Sequence, residues 1–163
     1  MDEGSAAACT SLVIAPEISF RVMIPDEFNV PRHDVNIVCH QGVSTGGMLH
    51  TGSIIWDGSR FLASWLASGV DLGMPEAAAE VPSEGTLYSA HPLHLKHVLE
   101  LGSGVSGLPS LVAAACGAAR VIATDLPEEC ALLQRNVEYA VKAGVIPSVV
   151  DVMSLDWAAF PLL

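Results

Sequence analysis

Alternation of apolar and polar residues marks two strands near the start of the chain. The stretches "EISFRVMI" and "DVNIVCHQ" are rich in Val and Ile, and the polar run from Pro25 to His33 between them predicts a hairpin. The period then lengthens. In "GSIIWDGSRFLASWLASG" the residues Phe61, Leu62, Trp65 and Leu66 recur at helical spacing, with Ser59 placed to cap the start and Gly69 to mark the end, so a helix is expected over 59–68. From Val70 to Lys96 the chain carries three prolines and no sustained period, which predicts a long surface loop inserted within a domain. Residues 1–15 read as a flexible N-terminus, with one domain over 16–163.

After His97 strands and helices alternate. "HVLEL" is a short apolar run bounded by glycine, "LPSLVAAACG" a helix with Pro109 in its first turn and Gly117 past its end, and "ARVIATD" a second strand. A further helix starts at Pro127, where Glu128 and Glu129 suit the positive end of the helix dipole; Cys130, Leu133, Val137 and Val141 form its expected buried stripe, and Gly144 closes it. "SVVDVMSLDW" supplies a third strand. The alternation predicts an α/β unit with a parallel sheet and right-handed crossovers.

Composition narrows the class. The chain has 163 residues, 51% of them hydrophobic, which is enough for one core. Seven Lys plus Arg against eighteen Asp plus Glu give a net charge of -11, which repels nucleic acid and anionic membranes and leaves basic partners favoured. No apolar run reaches the roughly 18 to 20 residues of a membrane helix. The acidic start lacks the basic residues of a secretory or transit signal, so a cytoplasmic or nuclear address is expected. Cys9, Cys39, Cys116 and Cys130 form no C-x-x-C pair and are expected as reduced thiols. His91, His94 and His97 could converge on a metal if helical, but Pro92 favours a solvated loop entering a strand, and no metal site is expected.

The candidate chemistry lies in "HVLELGSGVSGLPSLVAAACGAARVIATD". Gly102, Gly104 and Gly107 spell G-x-G-x-x-G, the spacing of a dinucleotide-binding turn, in which the third glycine lies on the helix. Here Pro109 places the helix start near Leu108 and leaves Gly107 in the loop. Glu100, at the end of the strand, would oppose a pyrophosphate and suit a cationic ligand. S-adenosylmethionine is such a ligand, since it carries a sulfonium and an amino group and no phosphate. Asp125 ends the second strand 21 residues after Gly104, where a carboxylate can grip a ribose diol; it could also cap the helix that follows. Asp156 could accept from an adenine amino group or simply be solvated, and Trp157 follows the third strand at the carboxyl end of the sheet. Trp56 and Trp65 read as core residues on their helix.

These stretches together resemble a known family. "GSIIWDGSRFLASWLA", "VLELGSGVSGLPSLVAAACGA", "RVIATDLPEECALLQRNV" and "SLDW", in this order, resemble the class I, seven-β-strand, S-adenosylmethionine-dependent methyltransferases, and within them the family 16 protein-lysine methyltransferases. The "GLPSLVAA" wording looks closest to the branch of nicotinamide N-methyltransferase-like proteins that act on an elongation factor. The resemblance implies a Rossmann-like fold, S-adenosyl-L-methionine as cofactor, and a lysine-bearing protein as substrate. It also implies that Trp56 lies against the cofactor, that Gly102, Ser103 and Gly104 run under its methionine part, that Asp125 with Leu126 beside it holds the ribose, and that Trp157 borders the adenine.

The sequence departs from that pattern twice. "GSGVSGLPS" holds one extra residue, which leaves the loop contour around Val105 to Gly107 open. The family also continues into a fourth strand and a substrate-binding part, whereas this chain stops at "AAFPLL", so it is expected to hold only the N-terminal part of the fold: strands 1–3, their helices and an N-terminal β extension. His97 to Leu101 would then be an exposed sheet edge. No catalytic residue is named on this reading. The alternatives are an N-methyltransferase, an inactive fragment or interaction module that keeps part of the cofactor site, and a dinucleotide oxidoreductase.

Overall fold

The structure, a computed structural model, describes residues 17–42, 51–69 and 90–159. Strands β1 (Ile18–Met23) and β2 (Asp34–Cys39) pair antiparallel, with Ile18 opposite Cys39 and Met23 opposite Asp34, and make the expected hairpin. Their alternation buries Val22, Val35, Ile37 and Cys39 on one side. On the other side the exposed Arg21 and Asp34 form an ion pair.

A 3-10 turn (Thr51–Ser53) leads into α1 (Asp57–Ala67). This helix begins two residues before the expected 59–68, because the extended Trp56 is its N-cap and Asp57 takes the first turn; Ser59 is therefore not the cap. Gly69 ends it in a left-handed conformation, as expected. The buried face is rotated from the expectation, and of the expected stripe only Leu66 packs against the core. Ala63 and Ala67 are fully buried, whereas Phe61, Leu62 and Trp65 are exposed, so Trp65 is not a core residue. The reason is the neighbour: α1 lies against α2 (Leu108–Ala115), and only small side chains allow the approach. Every residue of α2 is buried, as befits a helix apolar on all sides.

Strands β3 (His97–Leu101), β4 (Arg120–Asp125) and β5 (Val150–Ser154) form a parallel sheet in that order, with β4 in the middle. Val98, Val121 and Val150 form one row, and Ala123 and Val152 share the next, on the face covered by α2 and α3 (Pro127–Lys142). On the opposite face Leu99, Leu101 and Met153 are exposed, so β3 is the apolar edge that the sequence predicts among the described residues. Helix α3 buries Leu133 and Val137 as expected, but Cys130 and Val141 are only half-buried. Its inner face is centred one position away and includes two polar residues, Glu129 and Asn136. The helix must meet the hairpin and the glycine loop as well as the sheet, and those backbones need polar partners.

The histidine cluster is also rearranged. His91 is not solvated: it is 2% exposed, edge-on to Phe28, and its Nδ1 accepts the Leu93 N–H. No group of three potential metal ligands occurs among the described residues. The surface loop expected over 70–96 lies outside the described residues as far as 89, and from His91 it is a turn into β3. Cys39, Cys116 and Cys130 are free, and Cys9 lies outside the described residues. No helix among the described residues is long and apolar enough to cross a membrane.

Two residues at the start of α2 set the loop before it. Gly107 is the N-cap with φ of +53°, so the helix starts at Leu108 as Pro109 predicts. A Cβ on Gly107 would stand 2.6 Å from Leu133 Cδ1. Gly107→Ala should therefore cost about 1–3 kcal/mol, read from a urea midpoint, through backbone strain and overpacking. Glu100 turns from β3 into the first turn of α2, where it accepts from the Ser110 N–H at 3.0 Å and from the Ser110 hydroxyl. Burial pushes its carboxyl above the ordinary glutamate range, and the Ser110 hydrogen bonds only partly offset this. The folded state thus holds this proton more tightly than the unfolded chain. Stability should fall as pH rises from the ordinary glutamate pKa to the raised folded value, then level off. Glu100→Gln should remove that slope in urea midpoints measured across the acidic range.

Candidate functional site

A cavity of about 390 Å³ opens at the carboxyl ends of the parallel strands, where open α/β sheets bind ligands. Its base is the loop between β3 and α2. Gly102 and Gly104 both have positive φ there, and Gly104 also lies against the backbone of the Thr51–Ser53 turn: a Cβ would stand 2.9 Å from the Gly52 carbonyl oxygen. No other residue fits that place without moving a main chain.

Eight of the nine residues singled out from the sequence line this cavity. Gly102, Ser103 and Gly104 form its base, Asp125 and Leu126 its side after β4, and Asp156 and Trp157 its rim after β5. Trp56 stands across from them, its indole N–H donating to the Thr51 carbonyl at 2.7 Å. Trp157 is 63% exposed, and its ring is the nearest neighbour a Cβ on Gly102 would meet, at 3.7 Å. The exception is Glu100. Its carboxylate points into α2 and does not line the cavity.

Asp125 ties the loop to the end of β4. One carboxylate oxygen accepts the Gly104 N–H at 2.6 Å and the other the Leu126 N–H at 2.7 Å. Each oxygen keeps a second lone pair for a hydroxyl donor. The helix cap it might have formed is absent, because Leu126 is the N-cap of α3 and has no side-chain bond. Ser103 is buried; its N–H donates to the Thr124 carbonyl, and its hydroxyl has no well-formed hydrogen bond.

The sequence reading missed the wall opposite the loop. Thr51, Gly52 and Glu129 line it, and the Ser53 hydroxyl donates to the Glu129 carboxylate at 3.2 Å. The only sequence signal for Glu129 was its place in the first turn of α3, which helix-dipole preference explains equally well. The electrostatics of the whole are one-sided. Asp125, Glu129 and Asp156 line the cavity, and no Lys or Arg is among its described lining residues. Such a site favours a cation and disfavours a phosphate.

Comparison with known proteins gives the chain a family. A family model described as lysine methyltransferase matches residues 41–161, well over half of the chain. The protein N-terminal and lysine N-methyltransferase EFM7 of Gibberella zeae is 45% identical over 76 residues, which cover 42% of this chain and 28% of that protein. The chain thus spans well under half the length of that relative. A looser likeness, with 28% identity and a TM-score of 0.33, is to the Trypanosoma brucei PRMT1 enzyme-prozyme heterotetrameric complex with AdoHcy, over 44% of this chain and 22% of that one. With its parallel strands, its glycine loop and the matched family model, the chain belongs to the lysine methyltransferase family.

Proposed function

We propose that this chain forms the methyl-donor site of an S-adenosylmethionine-dependent N-methyltransferase that acts on a lysine of a protein. The observation that carries this reading is the cavity itself. It sits over a glycine loop at the carboxyl ends of parallel strands, and its described lining residues include three carboxylates, two tryptophans and no Lys or Arg. A nucleoside with a cationic sulfur fits this set of groups, whereas a dinucleotide pyrophosphate would meet three carboxylates and no Lys or Arg among the described lining residues. The donor, when bound, supplies an electrophilic methyl group on its sulfonium.

The chain's own residues bind and orient. Asp125 offers acceptor positions for a ribose diol, and the Gly102 to Gly104 backbone lets a ligand approach closely. Trp157 offers an exposed ring face for an adenine. Transfer of a methyl group depends on proximity, in-line alignment and exclusion of water, all of which begin with a held donor. The acidic lining and the net charge of -11 also attract a basic acceptor segment. The Gibberella relative is named for both N-terminal and lysine acceptors, and both are primary amines.

A second reading is donor binding without transfer. It is favoured by the bare β3 edge, where Leu99 and Leu101 are exposed next to Gly102. Two measurements decide. Calorimetry should show S-adenosylmethionine binding and no NAD binding, with Asp125→Ala weakening the former at least about tenfold, the scale of losing charge-assisted hydrogen bonds. NAD binding alone would sink the donor reading. Incubation with radiolabelled donor and a cell lysate should label a protein band that vanishes with Asp125→Ala; binding without any such band selects the second reading.

A further inference from the structure

Helix α3 turns two buried polar residues inward, Glu129 at the cavity wall and Asn136 behind the glycine loop. Glu129 and Asn136 are seven positions apart, which is two helical turns, so they share one face. Glu129 accepts the Ser53 hydroxyl with both carboxylate oxygens at 3.2 Å. Asn136 is fully buried and donates from Nδ2 to the Val105 carbonyl at 2.7 Å and to the His40 carbonyl at 2.9 Å, while its Oδ1 accepts the His40 N–H at 2.9 Å. Between these two points runs one more bond, from the Val105 N–H to the Gly52 carbonyl at 2.8 Å.

The links form a closed ring. It passes from Glu129 to Ser53, along the backbone to Gly52, across to Val105, on to Asn136, and back through α3. The ring fixes both sides of the Val105 peptide, the residue after Gly104 and the point where the loop contour could not be read from glycine spacing. It also sets the far wall. The Thr51 carbonyl in the same turn holds the Trp56 indole, and the Ser53 carbonyl accepts the Gly42 N–H at 3.0 Å. Space for the ring is narrow: a Cβ on Gly52 would stand 3.0 Å from the Glu129 side chain.

We infer that Glu129 and Asn136 are positioning residues, which through Ser53, Gly52 and Val105 hold the glycine loop and the Trp56 wall at the separation the methyl donor requires. This rests on the donor-site reading above. An unligated loop held on both sides loses less freedom when a ligand arrives, so the ring acts on affinity through preorganisation. Neither residue needs to touch the reacting atoms.

The test uses the full chain and a mild variant. Asn136→Ala would leave the His40 N–H and two buried carbonyls without their partner, a change that can unfold the protein. Ser53→Ala removes one hydroxyl beside the cavity, and Ser53→Thr restores it. In hydrogen exchange read by mass spectrometry on the free protein, the loop segment containing the Val105 amide should exchange about fivefold to tenfold faster in Ser53→Ala, with protection restored in Ser53→Thr. Calorimetry should show S-adenosylhomocysteine binding weakened by a similar factor of about five to ten in the same variant, with a thermal midpoint close to that of the parent chain. Unchanged exchange in that segment overturns the inference. So does faster exchange with unaltered affinity, which would mark the ring as structural only. A parent chain that protects the segment yet binds no S-adenosylhomocysteine overturns instead the donor-site reading on which the inference rests.

Discussion

The contact between Gly104 and the Gly52 carbonyl is the constraint around which the molecule is arranged. With a Cβ at Gly104 placed 2.9 Å from that oxygen, the hairpin-bearing N-terminal segment and the parallel sheet can meet only backbone to backbone. That approach makes one cavity out of two separate pieces of chain, because Gly52 and Trp56 come from one and Gly102, Asp125 and Trp157 from the other. It also accounts for the polar residues on α3. Main-chain groups brought together away from water need partners, and the Asn136 amide satisfies three of them at once.

Charge is distributed to suit a cation without placing every carboxylate in the site. Asp125, Glu129 and Asp156 line the cavity, but Glu100, which the sequence places beside the same loop, is spent on the first turn of α2. A buried carboxylate there is held by the helix N-terminal Ser110 N–H and hydroxyl, so it fixes where the helix begins relative to β3. Its effect on a ligand is then indirect. It orients the loop that presents Gly102 and Gly104, while Asp125 carries the direct contact with the loop amide.

Patterns set by local geometry were legible in the sequence. Alternation marked β1 and β2, Pro109 marked the start of α2, and Asp125 ended β4 beside Gly104 as its spacing required. Patterns set by a neighbour were not. Phe61, Leu62 and Trp65 form a convincing helical stripe, yet where α1 meets α2 the fully buried residues of α1 are Ala63 and Ala67. Glu129 and Asn136 look like solvated helix residues until the backbone of Gly52, Val105 and His40 is brought to them. His91 likewise is buried by Phe28, a contact that no spacing within "HPLHLKH" could signal. The extra residue in the glycine loop falls in the same class, because the contour of Val105 is imposed by bonds from residues 53 positions before it and 31 after it.

The hydrogen bonds around the cavity leave the exposed apolar face of the sheet out. Among the described residues, the bonds that hold the cavity come from β4, α3, the hairpin segment, the glycine loop and the Thr51–Ser53 turn, with Glu100 of β3 fixing the start of α2, and the exposed side chains of Leu99, Leu101 and Met153 take no part. The bare face that carries Leu99, Leu101 and Met153 can therefore be covered, or left open, without altering the hydrogen bonds that hold Gly102 to Gly107. The cavity is thus held, within the described residues, by bonds that do not involve that face.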